Sequence, residues 1–302
     1  MMDDATKDPV DSGSTARPVT APAGRLGFLS GLVRGRATQP GETYGVPGQG
    51  ETLWLSVASI ATLLFTWWLV TELGWVQPLF MPSPTDIVGK FFEIVDKGFT
   101  NTSFLEHVLI STSRVFGAFA IACAIGIPLG LAMGMSPVAR GIFDPPIEFY
   151  RPIPPLAYLP LMIIWFGIGE MSKVLLIFLS IFAPVTLGAR AGVRSAAIEQ
   201  IHAAYSFGAT RWQVMRYVIL PSALPEILTA MRIGVGFGWT TLVAAEMVAA
   251  TEGLGYMVLS ASQFLQTSTV IMGIVVIAAI AYAFDMIMRF TEKRVVPWKG
   301  RM

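Results

Sequence analysis

Long apolar segments alternate with polar connections along this chain of 302 residues. A helix needs about 20 predominantly apolar residues to cross the hydrocarbon core of a bilayer. Segments of this length predict an all-α integral membrane protein with six spanning helices, at residues 53–73, 105–133, 143–166, 173–193, 222–250 and 269–290. The connection between the first two spans is amphipathic, too short and too charged to cross, so we expect it to lie at the membrane surface.

Small residues at regular spacing indicate that some of these helices pack closely. Gly126, Gly130 and Gly134 recur every four residues, and Gly188 and Gly192 repeat the same spacing. Each set lies on one helix face, where the absence of a side chain lets a neighbouring backbone approach. We therefore expect both faces to be helix–helix contacts.

Composition excludes several classes of protein. Hydrophobic residues make up 54% of the chain and charged residues 14%, with a mean hydropathy of +0.62. Soluble domains carry about 25% charged residues, so a water-soluble globule of this size is excluded. A net charge of +1, without a basic stripe, argues against nucleic-acid binding. One cysteine and two histidines, not clustered, predict no metal site.

Residues 1–50 differ from the rest of the chain. They are rich in Pro, Gly, Ser and Thr and contain no long apolar run, so we expect a disordered segment without a signal peptide. Residues 45–52, GVPGQGET, imitate a phosphate-binding loop, but Glu51 replaces the lysine, so we expect no nucleotide site. A membrane domain should cover 51–295 and a short C-terminal tail 296–302.

Lysines and arginines set the expected orientation, because cytoplasmic loops retain them. If the N-terminus lies inside, only three of the 21 basic residues fall on outer segments, whereas fifteen fall on the inner side. The outer three are Lys90, Lys97 and Lys173, and the other three, Arg114, Arg151 and Arg232, fall within spans. We therefore expect both termini in the cytoplasm, which agrees with an even number of spans.

A polar, basic segment at residues 196–222 separates the fourth and fifth predicted spans. Alanines favour a short helix before Gly208 interrupts it, and apolar residues then recur at helical spacing until Pro221. This pattern predicts two short helices at an angle, with Arg211 and Arg216 available for acidic groups of a partner. An ordinary amphipathic connection is the alternative.

This segment resembles the EAA loop of ABC importer permeases, whose form is Glu-Ala-Ala, three residues, Gly, nine residues, Ile, any residue, Leu-Pro. His202 stands where the family has Glu, and Val218 replaces the Ile. Insertion of the short helix into the partner ATPase depends on shape and is still expected. The resemblance implies that coupling to the ATPase is carried by His202, Ala203, Ala204, Gly208, Ala209, Arg211, Leu220 and Pro221.

The resemblance extends over residues 53–301. The phrases YRPIPPLAYLPLMIIWFGIGE, LVAAEMVAAT and PWKG are similar to permeases for nitrate, aliphatic sulfonates and taurine, most of all to those for taurine. This implies the type I ABC importer permease fold and a path for taurine or a related sulfonate in the bacterial inner membrane, with other alkanesulfonates or nitrate as alternatives.

Partners are implied by the same resemblance. They are a second copy of this chain, two copies of an ATPase subunit that bind ATP and Mg, a periplasmic or lipid-anchored solute-binding protein, and membrane lipid. The chain itself is expected to hold no cofactor and to catalyse no reaction.

Ionisable residues at membrane depth indicate a cavity or a partner. Glu148 and Arg151 are three residues apart, close enough to pair on a helix, and nearby prolines should break that helix beside protein or a water-filled cavity. We expect Glu148, Tyr150, Arg151 and Pro152 near the translocation path, with a structural ion pair as the alternative. Glu246 is isolated in an apolar stretch, and we also assign it to the translocation path, with a partner inside the protein as the alternative.

A secondary transporter is the main alternative of a different class. It would show related internal repeats, and the two halves of this chain show no convincing similarity. It would also have no use for a cytoplasmic docking segment. A membrane enzyme finds less support, because the predicted spans contain no Ser, His and carboxylate constellation.

Overall fold

The structure, a computed structural model, describes residues 53–298. The predictions for residues 1–50 and for the end of the C-terminal tail, residues 299–302, lie outside this range. The chain divides into two units, Met1–Thr66 and Trp67–Met302. All sites described below lie in the second unit.

Helices account for most of the described chain, which contains no strand and only one isolated β-bridge. The α-helices are α1 (Leu53–Glu72), α2 (Pro84–Lys97), α3 (Phe104–Met135), α4 (Pro137–Tyr150), α5 (Leu159–Phe166), α6 (Glu170–Val193), α7 (Ile198–Ser206), α8 (Arg211–Val214), α9 (Leu220–Ala249), α10 (Leu254–Gln263) and α11 (Thr267–Val295). A 3₁₀ turn, Pro155–Tyr158, precedes α5, and a π-helical turn, Met215–Ile219, joins α8 to α9.

Five of these helical stretches are long and apolar enough to cross a membrane, as judged over residues 53–298. They are Trp54–Glu72, Phe104–Met135, Glu170–Val193, Arg211–Ala249 and Thr267–Val295. Each contains the greater part of one predicted span, because a long apolar run can satisfy its backbone in a membrane only as a helix.

The third predicted span, 143–166, differs from the single helix that its hydropathy predicts. It is divided among α4, the 3₁₀ turn and α5. Pro152, Pro154 and Pro155 supply no backbone N–H, so the helix ends at Tyr150 and resumes only at Leu159. The predicted break therefore occurs, and it separates two short helices.

The helix beyond Gly208 continues further than the sequence predicts. Leu220 and Pro221 were expected to end it, but the π turn leads directly into α9. The Leu220 amide donates to the Met215 carbonyl five residues earlier. Pro221 then occupies the first turn of α9, where its missing N–H is tolerated.

Close packing of α3, α6 and α9 forms the centre of the second unit. Gly126, Gly130 and Gly134 of α3, here called the glycine seam, face α6 as predicted. A Cβ on Gly130 would lie 2.2 Å from the Thr186 carbonyl oxygen. On the other side of α6, a Cβ on Gly188 would lie 2.0 Å from the Ala230 Cβ of α9. The core beside these contacts is aliphatic and aromatic, with Val115, Ile177, Ile181, Trp239 and Leu242 among its buried members.

The amphipathic connection between the first two predicted spans forms α2. Ser83 and Asp86 make a capping box at its start, and Ile87 and Ile94 face a buried cluster with α10 and α11. On its exposed side, the hydrogen bond from Lys90 lowers the pKa of the Glu93 carboxyl, with a smaller contribution from Lys97.

Candidate functional site

A cavity of about 490 Å³ lies beside the break between α4 and α5. Its walls come from the break itself, from α6 and from α9. The lining includes Tyr150, Arg151, Pro152, Tyr158, Ser180 and Phe237. The structure thus brings together three of the five residues predicted for the translocation path, and it does so where the prolines interrupt the helix.

Exposed charges continue from this cavity along α4. Arg151 Nη1 lies 3.5 Å from Glu148 Oε2, so the predicted pair forms. Arg190 of α6 approaches the other Glu148 oxygen at 3.3 Å and also pairs with Asp144. The Arg151 side chain is 57% exposed. Its guanidinium can therefore still donate hydrogen bonds to an anionic solute.

Glu246 lies elsewhere, at the centre of a buried polar network. Its carboxylate accepts from Arg114 Nη1 at 2.6 Å, from the Ser111 hydroxyl at 2.8 Å and from the Gly255 amide at 2.8 Å. The Glu246 side chain is 0% exposed and that of Arg114 is 5% exposed. Of the two sequence-based options for Glu246, the structure shows the partner, and Glu246 does not line the cavity beside Arg151.

The same network caps α10. Its N-cap residue is Gly253, which has no side chain to offer the free amides at the helix start. The Gly253 amide donates to His107 Nδ1 at 3.0 Å, and the Leu254 amide donates to Ser111 Oγ at 2.8 Å. Because Nδ1 accepts, the proton of His107 is on Nε2, which donates to the Phe99 carbonyl at 3.2 Å.

Two glycines make room for the Glu246 carboxylate. Gly253 has φ +121°, and a Cβ there would lie 2.5 Å from Glu246 Cδ. A Cβ on Gly255 would lie 2.9 Å from Glu246 Cβ. The sequence Gly-Leu-Gly therefore reflects the close approach of a charged side chain to the start of α10.

Sequence reasoning did not find the partners of Glu246 in this network. A signal was present: His107, Ser111 and Arg114 recur at i, i+4 and i+7 and form a polar stripe on the otherwise apolar α3. Lys173, predicted at the outer end of the fourth span, lies in the first turn of α6, where it is buried and its Nζ donates to Glu170 Oε1 at 2.6 Å.

The segment predicted to couple to an ATPase contains α7 and a sharp turn. Gly208 has φ +81°, and its amide donates to the Tyr205 carbonyl while the Ala209 amide donates to the Ala204 carbonyl. This pair of bonds is a Schellman motif, which ends α7 and requires a left-handed residue. Thr210 then starts α8, with Gln213 completing a capping box.

Exposed side chains dominate the surface of this segment. His202, Ala203 and Arg211 are exposed, whereas Ala204, Ala209, Leu220 and Pro221 are half-buried. Several aromatic side chains also face outward, and Phe207 is 91% exposed. The exposed aromatic residues of this segment are Tyr205, Phe207, Trp212 and Tyr217. Apolar surface of this kind is typical of a protein–protein interface.

A second cavity, of about 640 Å³, lies between α9 and α11. Its walls are mostly apolar, with Arg232 and Asp285 in the lining. It contains none of the predicted site residues. Within residues 53–298 no group of three His, Cys, Asp or Glu side chains is arranged to hold a metal ion.

This arrangement of helices is shared with solved transporter structures. It superimposes on "Inward facing conformations of the MetNI methionine ABC transporter" with a TM-score of 0.53 and 20% identity, covering 64% of this chain and 94% of that chain. The likeness shows the fold, which is that of a type I ABC importer permease, and the predicted fold class is confirmed.

Sequence comparison gives the family. Residues 126–297 match the family described as "Binding-protein-dependent transport system inner membrane component", and the chain belongs to this family. It is 53% identical over 249 residues to "Taurine transport system permease protein TauC" of Escherichia coli (strain K12), covering 82% of this chain and 90% of that protein. It is 33% identical over 255 residues to "Putative aliphatic sulfonates transport permease protein SsuC" of Bacillus subtilis (strain 168), covering 84% and 91%.

The chain is therefore a membrane permease subunit of an ABC importer. It is a transport subunit and not an enzyme, and it works with an ATPase partner and a solute-binding protein. The resemblance drawn from the EAA-like segment is confirmed, and family membership excludes the secondary-transporter alternative.

Proposed function

We propose that this permease forms the translocation path for taurine or a closely related sulfonate. The observation that carries the proposal is the 53% identity to the E. coli taurine permease over 82% of the chain, against 33% to the B. subtilis sulfonate permease. Other alkanesulfonates and nitrate are the competing solutes within the same family.

The cavity beside Arg151 supports a path for such a solute. A sulfonate is an anion, and the 57% exposed guanidinium of Arg151 offers it charged hydrogen-bond donors. Tyr150 lines the same cavity, and so does Pro152, which lies in the break between α4 and α5. Glu148, paired with Arg151 next to this cavity, offers a carboxylate that can bind the ammonium group of taurine.

For Glu246, a structural role that holds the helices together is supported by the burial of its carboxylate and by the hydrogen bonds that it accepts. A residue that lines a path needs a surface that the solute reaches, and the Glu246 side chain has none in this structure. Its place in the path or in a gate remains the competing hypothesis, and it is tested below with a single substitution.

The segment from α7 to α9 is proposed to dock on the ATPase. Small side chains at Ala203 and Ala204 let a partner surface approach α7, while His202 and Arg211 present polar groups from the exposed side. Gly208 and Ala209 set the angle between the two short helices. Leu220 and Pro221 begin α9 directly after the π turn. A displacement of α7 by the ATPase can therefore be transmitted to a membrane-spanning helix.

The proposed assembly is a homodimer of this chain with two ATPase copies and a periplasmic or lipid-anchored solute-binding protein. ATP and Mg bind to the ATPase copies, and lipid covers the outer helix faces. Both termini lie in the cytoplasm, as supported by the excess of basic residues on that side. The purified chain should show no ATP turnover until the ATPase subunit is added.

The experiment is solute uptake by vesicles that contain the complete complex. Labelled taurine is supplied with the cognate solute-binding protein, and unlabelled taurine, alkanesulfonates and nitrate compete in parallel. Preferential competition by taurine supports the proposal. Uptake that nitrate or longer sulfonates displace more strongly would assign the path to those solutes instead.

A further inference from the structure

Arg114 joins three separate parts of the membrane domain through one guanidinium group. Its Nε and Nη2 donate to both Glu170 oxygens at 2.6 Å, at the start of α6. Its Nη1 donates to Glu246 of α9 at 2.6 Å and to the Glu252 carbonyl, in the turn before α10, at 3.0 Å. Four donated bonds in fixed directions require arginine, because a lysine ammonium cannot reproduce this fork.

The two carboxylates that Arg114 holds differ in their exposure. Glu246 is 0% exposed, whereas the Glu170 side chain is 62% exposed. Loss of Arg114 should cost less at the exposed Glu170 than at Glu246, because a buried Glu246 without its cation would be strongly unfavourable. We therefore expect the contact to open at Glu170 rather than at Glu246.

Charge balance makes this opening possible. Lys173, three residues after Glu170 on α6, also bonds Glu170 at 2.6 Å and moves with it. When the first turn of α6 separates from Arg114, Glu170 keeps Lys173 and Arg114 keeps Glu246. Each half is then a neutral pair, so no uncompensated charge is left in the membrane.

The start of α6 is also connected to the cavity beside Arg151. Gly167 to Gly169 form the turn between α5 and α6, and the Ser172 hydroxyl donates back to the Gly167 carbonyl. Tyr158, immediately before α5, and Ser180 of α6 both line the cavity. Helix α5 and the first turns of α6 therefore link the α5–α6 turn to the cavity wall.

We propose that Arg114 is a positioning residue whose contact with Glu170 opens and closes during transport, moving the α5–α6 turn relative to the fixed unit of α3, α9 and α10. The proposal rests on the transport function above, but not on the identity of the solute. Glu246, His107 and Ser111 hold the fixed side, because together they cap α10 and anchor it to α3.

The experiment measures the distance between the two sides of this contact. Spin labels are placed at Ile168→Cys in the α5–α6 turn and Thr251→Cys in the α9–α10 turn, both exposed positions, in a Cys123→Ala background. Labelled subunits are diluted into cysteine-free subunits so that most complexes carry one labelled copy. Distances are recorded for the full complex without nucleotide and with ATP.

Two substitutions should shift the distance populations in opposite directions. Glu170→Gln leaves Arg114 facing Lys173 without an intervening charge, so the ratio of separated to closed forms should rise about tenfold, the effect of losing one charged hydrogen bond. Lys173→Met leaves Glu170 without a cation once it separates from Arg114, so the same ratio should fall. Glu93→Gln, which removes an exposed carboxylate paired with a lysine on α2, is the matched control and should leave the ratio unchanged.

A purely structural contact would respond differently. If Glu170→Gln and Lys173→Met shift the ratio in the same direction, or if the parent complex shows one distance in both nucleotide states, the proposal is overturned. These distances are measured without solute, so a failure of taurine uptake would contradict the proposed substrate and leave this result standing.

Discussion

Two regions of the membrane domain place arginine beside carboxylates, and they do so in opposite ways. In the first region, Glu246 accepts hydrogen bonds from Arg114, Ser111 and the Gly255 amide, and the side chains of Arg114 and Glu246 are both buried. Around Arg151, the partner Glu148 is 3.5 Å away, and both side chains are about half exposed. Buried charges need full compensation and so fix structure, whereas exposed, loosely paired charges remain available to a passing solute. The comparison separates residues that hold helices from residues that can contact cargo.

Removal of the buried cation should have the largest effect. Arg114→Met leaves two carboxylates without their shared partner, and we expect the free energy of unfolding to fall by about 3–5 kcal/mol. The exposed counterpart, Arg151→Met, is the matched control, and it should change this free energy by about 1 kcal/mol or less. Denaturation of the purified chain in detergent measures both, and equal losses would contradict the comparison.

Glu246→Gln should give a smaller loss of stability in the same region. Arg114 keeps Glu170, and the amide still accepts from Ser111, so we expect a cost of about 1–3 kcal/mol. Because Arg114 would lack a carboxylate once it separates from Glu170, taurine uptake and ATP turnover per assembled complex should fall together, with their ratio unchanged. Loss of uptake with ATP turnover retained would instead place Glu246 in the path or its gate.

At the coupling segment, the expected effect is on docking rather than on the helix bundle. Gly208→Val forces a β-branched residue to φ +81° and should reduce copurification of the ATPase and its stimulated turnover, with the spanning helices still inserted. Gly208→Asn, which tolerates the left-handed region, should retain most of the docking. Equal copurification of the Val variant and the parent chain would mean that the turn is not needed.

The smallest effect on stability should accompany a marked effect on transport. Arg151→Gln removes an exposed cation at the cavity, so we expect lower sulfonate uptake per assembled complex with a stability change of about 1 kcal/mol or less. Arg151→Lys keeps the charge and should recover part of the uptake. Unchanged uptake in the Gln variant would remove Arg151 from the path.

Much of this fold follows from local sequence properties. Hydropathy placed the long helices α3, α6, α9 and α11 within a few residues, because a membrane leaves an apolar chain few alternatives. The left-handed turn at Gly208 could also be anticipated, since few residues adopt that conformation. By contrast, the helix continues through Pro221 because of a π turn, and no local sequence pattern predicted this turn.

The candidate sites were less accessible to sequence reasoning. Glu148 and Arg151 are near neighbours in the chain, so their pairing was predictable from helical spacing. The partner of Glu246 is Arg114, which is 132 positions away along the chain, and only the folded packing of α3 against α9 reveals it. The exposed aromatic residues near Gly208 also went unnoticed, because periodicity alone does not tell whether Trp212 faces a core or a partner.

The glycine seam on α3 determines which sequences this fold can accept. A methyl group at Gly130 would collide with the Thr186 carbonyl, and one at Gly134 would lie 2.4 Å from a Val193 methyl. Ile125, one residue before Gly126, is 49% exposed and meets no such limit. Tolerance to substitution along α3 should therefore vary with a four-residue period, and a library of single variants should reject even alanine at the seam while accepting varied apolar residues on the opposite face.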